Sequence, residues 1–171
     1  RPDTIPLDPE KNYLGFSVAL QKALSSGEIT LKSSDPHEQP NLFYNYLEHP
    51  EDLRRMREAV RICVTITQNE TFNPIIKSRI DPTGFDLDCD ASLDKWLYSI
   101  VGTQHHSSGT CKMGPKEDPL AVVTQTGLVH GIDNLRITDA SIMPDVVRAN
   151  TNATVIMMAE KIADDIFNAN K

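Results

Sequence analysis

No apolar run in this chain approaches the roughly 20 residues that a membrane-crossing helix requires. The opening residues Arg1-Pro2-Asp3-Thr4 offer neither a methionine nor the apolar core of a secretory signal, so they read as the interior of a longer product. Positive charge is in deficit, with 17 Lys and Arg against 24 Asp and Glu and a formal net charge of -7. That balance argues against a nucleic-acid or anionic-membrane partner, since both need a basic face. Cysteine is sparse: Cys63, Cys89 and Cys111 are the 3 present. They show no C-x-x-C spacing and give no disulfide framework, which fits a reducing compartment and makes the cytoplasm the expected location. There is no G-x-G-x-x-G and no P-loop, so the phosphates of any dinucleotide this chain touches would be held by other residues.

What the chain does have is the bulk of a globular protein: 171 residues, 39% hydrophobic and 24% charged, enough to bury a core. Residues 1–11 carry three prolines and no periodicity, as a linker or lead-in would. Short apolar runs at 13–20 and 27–32 flank Ser25-Ser26-Gly27 and predict an antiparallel pair, with a further short strand in the aromatic segment Asn41–Leu47. His49-Pro50-Glu51-Asp52 places a proline and two acids where the positive end of a helix favours them. Leu53, Met56, Val60, Cys63 or Val64, and Thr67 then recur at helical spacing, with Cys63 acting as a small apolar residue. A second helix is predicted over 92–101, capped by Ser92, with Leu93, Trp96, Leu97 and Ile100 on one face. Short strands are expected at Val122-Val123, Leu128-Val129 and Leu135–Asp139. A last helix is expected over 153–168, capped by Asn152, with Val155, Ala159, Ile162 and Ile166 inward.

Two polar loops carry the chemistry. His105-His106-Ser107-Ser108-Gly109-Thr110-Cys111-Lys112-Met113-Gly114 combines adjacent imidazoles with glycines and hydroxyls in a stretch unable to form a regular helix. Imidazole trades a proton near neutral pH, and a loop of this composition can bring backbone close to a ligand while presenting that base. A histidine in a loop can also merely satisfy backbone groups. Metal binding by His105, His106 and Cys111 is disfavoured, because adjacent histidines in extended backbone point to opposite sides and no carboxylate stands at a partner spacing. The second loop, Arg148-Ala149-Asn150-Thr151-Asn152-Ala153-Thr154, opens into the last helix. Asn and Thr are ordinary helix caps, and the free amides there also favour an anion. Between the loops, Thr138-Asp139-Ala140-Ser141 puts an acid at a strand end, where turn chemistry and cofactor binding are both at home.

Three strings taken together resemble the C-terminal region of the glucose-methanol-choline (GMC) oxidoreductases: His106 to Gly114, Asn134-Leu-Arg-Ile-Thr-Asp-Ala-Ser-Ile-Met-Pro144, and Ala149 to Thr154. The resemblance implies an α+β fold that forms part of a two-domain α/β flavoprotein. Residues 1–130 would complete an antiparallel-sheet substrate-binding domain, and 131–171 would return to the FAD-binding domain. It implies FAD as cofactor, a small-molecule alcohol as substrate, and oxygen or a quinone-type carrier as electron acceptor. It also implies an N-terminal FAD-binding half as partner, since the family's glycine-rich motif is absent here. His106, not His105, matches the catalytic base. Asn150 takes the position that is His or Asn across the family, as in the subgroup with choline-oxidising members. Asp139, Ala140, Asn150, Thr151, Asn152 and Ala153 match residues around the FAD. A hydroxynitrile-lyase-like relative using the same histidine, and a catalytically inert binding domain, are the alternatives. No nucleic acid and no metal are expected.

Overall fold

The computed structural model describes residues 8–169; residues 1–7 of the proline-rich lead-in and 170–171 lie outside the described residues. The fold is mixed, with helices and a small antiparallel sheet: β1 (Glu28–Thr30), β2 (Asn41–Phe43), α1 (Pro50–Thr67), α2 (Gly84–Leu87), α3 (Asp90–Ile100) and α4 (Asn152–Ala169), with single 3-10 turns at Glu70–Phe72 and Ala140–Ile142. No helix among the described residues is long and apolar enough to cross a membrane. The chain divides into two compact units. One holds Tyr44–Gly102 with the described residues up to Gly27; the other holds Glu28–Phe43 with residues 103–169.

The first unit is helical. α1 starts where Pro50 and the first-turn acids predict, and the His49 ring accepts the Glu51 N–H at 3.2 Å. Its inward face is the one its spacing predicts, and it meets α3 in a core of Leu47, Val60, Leu93 and Leu97, flanked by Leu53, Met56 and Trp96. α3 begins earlier than expected, at Asp90 after Cys89, so Ser92 lies inside the helix. The segment before it contains a short helix the sequence does not announce by periodicity. Thr83 and Asp86 form a reciprocal capping box that nucleates α2.

The acid at Asp52 does more than complement a helix end. It is fully buried and accepts the N–H of Leu24 and of Ser25, at 2.8 and 2.6 Å, together with the Ser25 hydroxyl at 2.7 Å. Arg55 stands 3.5 Å away and also donates to the carbonyls of Gln21 and Lys22. Burial by itself would push the Asp52 carboxyl up. The N–H groups of Ser25 and Leu24, the Ser25 hydroxyl and Arg55 outweigh burial and hold the carboxyl below its ordinary value. The 24–25 segment is thus a clasp onto α1 and not one arm of a hairpin.

The predicted pairing of 13–20 with 27–32 is accordingly corrected. Residues 13–20 form no strand, and β1 pairs instead with β2, in the register Glu28↔Phe43, Ile29↔Leu42, Thr30↔Asn41. The remainder of the second unit is tied by isolated bridges, Met113↔Val123, Val123↔Val129 and Leu128↔Arg136, where the sequence predicts short strands. They surround a core of Val123, Ile142 and Ile162, with Met113, Val129, Ile137 and Met158 against it. α4 contributes Ile162 to this core, whereas Ile166, expected inward, is 38% exposed. Gly127 closes the turn under this core at φ 77°, where an added Cβ would stand 2.6 Å from the Ile137 carbonyl oxygen and 3.1 Å from Ile162 Cδ1.

Two outcomes follow for stability. A carboxyl depressed in the folded state contributes stability that is complete above its unfolded value and disappears as pH falls through the folded one. Asp52→Asn in the intact protein is therefore expected to cost on the order of 2–4 kcal/mol at neutral pH. It should also abolish the amide protection of Leu24 and Ser25 in hydrogen exchange and remove that acid-linked loss. Gly127→Ala adds a clash with backbone to a left-handed conformation. It should cost about 3 kcal/mol or more, seen as a lowered denaturation midpoint with accelerated exchange in α4.

Candidate active site

The site begins at Gly102, where α3 has ended and the chain turns polar. His105 adopts φ 61°, a left-handed residue whose N–H bonds to Thr103 Oγ1 at 2.9 Å. Its ring is exposed, while the following imidazole, His106, is half-buried. The two neighbours thus occupy different environments. Among the described residues no three His, Cys, Asp or Glu side chains are grouped so as to hold a metal ion.

From Gly109 the loop is held by main-chain atoms. The N–H groups of Gly109, Cys111 and Met113 donate in turn to the carbonyls of Ala140, Ser141 and Ile142, at 3.2, 2.9 and 2.8 Å. The acceptors belong to the 3-10 turn that Asp139 caps, its Oδ1 accepting the Ser141 N–H at 2.8 Å. Gly109 lies at φ 81°, and a Cβ there would stand 3.3 Å from the Met143 carbonyl oxygen. Behind the loop, Gly114 donates to the Val123 carbonyl at 2.9 Å, and the His130 ring is 3.1 Å from the Gly114 carbonyl. Lys112 pairs with Asp118 at 2.7 Å across the Pro115 turn. The Lys112 ammonium, with the Leu120 N–H, holds the Asp118 carboxyl below its usual range against a smaller opposing effect of burial.

The other end of the loop reaches the start of α4. The Thr151 hydroxyl lies 3.3 Å from His106 Nδ1, and Thr151 is 7% exposed. α4 begins at Asn152, so Asn152 stands inside the helix and not at its cap. Thr151 precedes it, with its carbonyl accepting the Val155 N–H at 2.9 Å. The amides of Asn152, Ala153 and Thr154 have no acceptor among the described residues, as the opening of a helix requires. Asn150 is exposed, and its carboxamide has no partner among the described residues.

The three segments singled out by sequence therefore come together. The His106 loop bonds to the turn after Asp139 at one end and to the residue following Asn150 at the other. The Thr151–His106 contact is the part that sequence reading missed. No pattern announces it, because a threonine before a helix ordinarily serves as a cap.

A family model described as GMC oxidoreductase matches residues 23–159. The chain belongs to this family. As a GMC oxidoreductase it is 44% identical over 157 residues to an oxygen-dependent choline dehydrogenase from Ectopseudomonas mendocina, an alignment covering 91% of this chain and 27% of that protein. A namesake from Cronobacter sakazakii is 41% identical over 149 residues, covering 87% and 26%. The chain thus spans about a quarter of the length of the curated relatives it matches. Among solved structures, an FAD-dependent oxidoreductase from Chaetomium thermophilum superposes with a TM-score of 0.80 at 26% identity, covering 88% of this chain and 26% of that one. A formate oxidase from Aspergillus oryzae gives 0.74 at 32% identity, covering 81% and 24%.

In this GMC oxidoreductase chain the position of the imidazole rests on a loop that takes a left-handed turn at Gly109. Gly109→Ala in the intact protein should introduce about 1–3 kcal/mol of backbone strain there. Faster amide exchange at Cys111 and Met113, ahead of any change in the helical unit, is the signature to look for.

Proposed function

We propose that this chain is the C-terminal portion of an FAD-dependent oxidoreductase acting on CH–OH groups, with His106 as the base and Asn150 as its partner at the substrate oxygen. One observation carries the proposal: the half-buried His106 is anchored beside the first residues of α4 by a loop bonded to the turn after Asp139. The names of the similar proteins, choline dehydrogenases and oxidases, favour oxidation over a lyase or an inert domain. Residues 1–130 would complete the substrate-binding domain and 131–171 the FAD-binding domain. The N-terminal half would supply the rest, including the glycine-rich phosphate site that this chain lacks.

The residues present fit the cofactor that the family implies. Three amides at the exposed opening of α4 want acceptors, and a helix N-terminus favours electron-rich groups. Asp139, Ala140, Asn150, Thr151, Asn152 and Ala153 would hold FAD along this edge. FAD, when bound, supplies a hydride acceptor for the oxidation of an alcohol. The protein's share is the proton. An alkoxide gives up hydride far more readily than an alcohol does, so neutral His106 takes the hydroxyl proton. The Asn150 carboxamide does not titrate near neutrality. It donates a hydrogen bond to the oxygen as negative charge grows, a contribution of about 3 kcal/mol. The amides of Asn152, Ala153 and Thr154 add a favourable field of about 0.5–2 kcal/mol for negative charge at the helix start.

The substrate class is a small alcohol, with oxygen or a quinone-type carrier taking the electrons onward. The three free cysteines suit a reducing, cytoplasmic setting.

Anaerobic bleaching of the flavin by alcohol tests the assignment in the intact protein. His106→Ala should slow bleaching by about a thousandfold with FAD content unchanged, and Asn150→Ala by less, about a hundredfold. Bleaching at the original rate in His106→Ala would remove the histidine from the reaction.

A further inference from the structure

The Thr151 hydroxyl has a duty distinct from the cofactor contact that resemblance gives its residue. We infer that Thr151 is a positioning residue that holds His106 as the Nδ1–H tautomer and so leaves the lone pair on Nε2. The inference rests on the reading of His106 as the base.

Thr151 and Asp52 are the buried polar residues among those described. A buried hydroxyl needs a partner, and this one has the His106 Nδ1 at 3.3 Å. A neutral imidazole carries one N–H and one lone pair, and the hydrogen bond at one nitrogen decides what the other presents. If the threonine donated, the lone pair would be spent on Nδ1 against a buried side chain, and Nε2 would carry a proton. A base in that state could not take a hydroxyl proton through Nε2. With Thr151 as acceptor, Nδ1 is protonated and Nε2 is the basic atom. Accepting from Nδ1–H also favours the imidazolium that forms once the proton arrives. The backbone strengthens this seat. Thr151 is fixed by the Val155 N–H on its carbonyl, and the loop that carries His106 is fixed by its bonds to Ala140, Ser141 and Ile142. Threonine is thus held at both its main chain and its hydroxyl, which suits a fixed reference point for the ring.

The test uses the intact flavoprotein labelled with 15N-histidine, with His106 assigned by comparison with His106→Gln. The wild-type spectrum should show Nδ1 as the protonated, pyrrole-type nitrogen and Nε2 as the pyridine-type one. Thr151→Val, which keeps the shape and deletes the hydroxyl, should lose that pattern and slow anaerobic flavin reduction about tenfold, the usual scale for removing a partner that orients a functional histidine. Thr151→Ser should restore both, with each rate taken per bound FAD. A wild-type spectrum with a pyridine-type Nδ1 overturns the inference, as does Thr151→Val that leaves either the spectrum or the rate unmoved. Full activity in His106→Ala would instead defeat the base assignment, and the tautomer spectrum would still report what Thr151 does to the ring.

Discussion

The second unit depends on one short set of main-chain hydrogen bonds, those from Gly109, Cys111 and Met113 to the carbonyls of Ala140, Ser141 and Ile142. These bonds join a loop that has no regular structure of its own to a turn that Asp139 caps. Ile142 is wholly buried beside Val123 and Ile162, so the acceptors stand on the core itself. The loop inherits the rigidity of that core. From there the imidazole of His106 is carried to the start of α4, which is anchored in the same core through Ile162. Proximity of the His106 imidazole and the helix opening is therefore a result of packing and not of a local motif.

The helical unit shows the same economy with a different device. A single carboxylate, Asp52, gathers two amides and a hydroxyl from the 24–25 segment and borrows the neighbouring guanidinium. Buried charge is costly unless its hydrogen-bonding capacity is filled, and here it is filled from a segment remote in sequence. The acid serves as a knot between an irregular segment and the first turn of α1.

Reading from residues alone goes furthest where periodicity and capping agree. α1, with Pro50 at its start and Leu53, Met56 and Val60 turned inward, is legible in full, and the apolar face of α3 is legible although its start is not. The strands are poorly legible because they are three residues long, too short for alternation to register, and because β1 pairs across a connector and not across the nearer turn at Ser25. That turn looks like a hairpin but is drawn to Asp52. In the site, the placing of the His106 loop beside the turn after Asp139 and the start of α4 is legible from the motifs. The His106 bond to Thr151 is not, since it depends on how two distant loops meet. Asn152 misleads for the opposite reason: it is an ideal cap residue placed one step too late to cap.

Because the loop is moored by peptide groups, its exposed side chains are released from scaffolding. Ser107 and Thr110 are exposed, and altering them leaves every N–H in that ladder intact. Divergence of the surface around the imidazole can therefore proceed by ordinary point changes without unseating it. A lineage built on this loop can vary its exposed side chains while inheriting the same seat for the His106 ring.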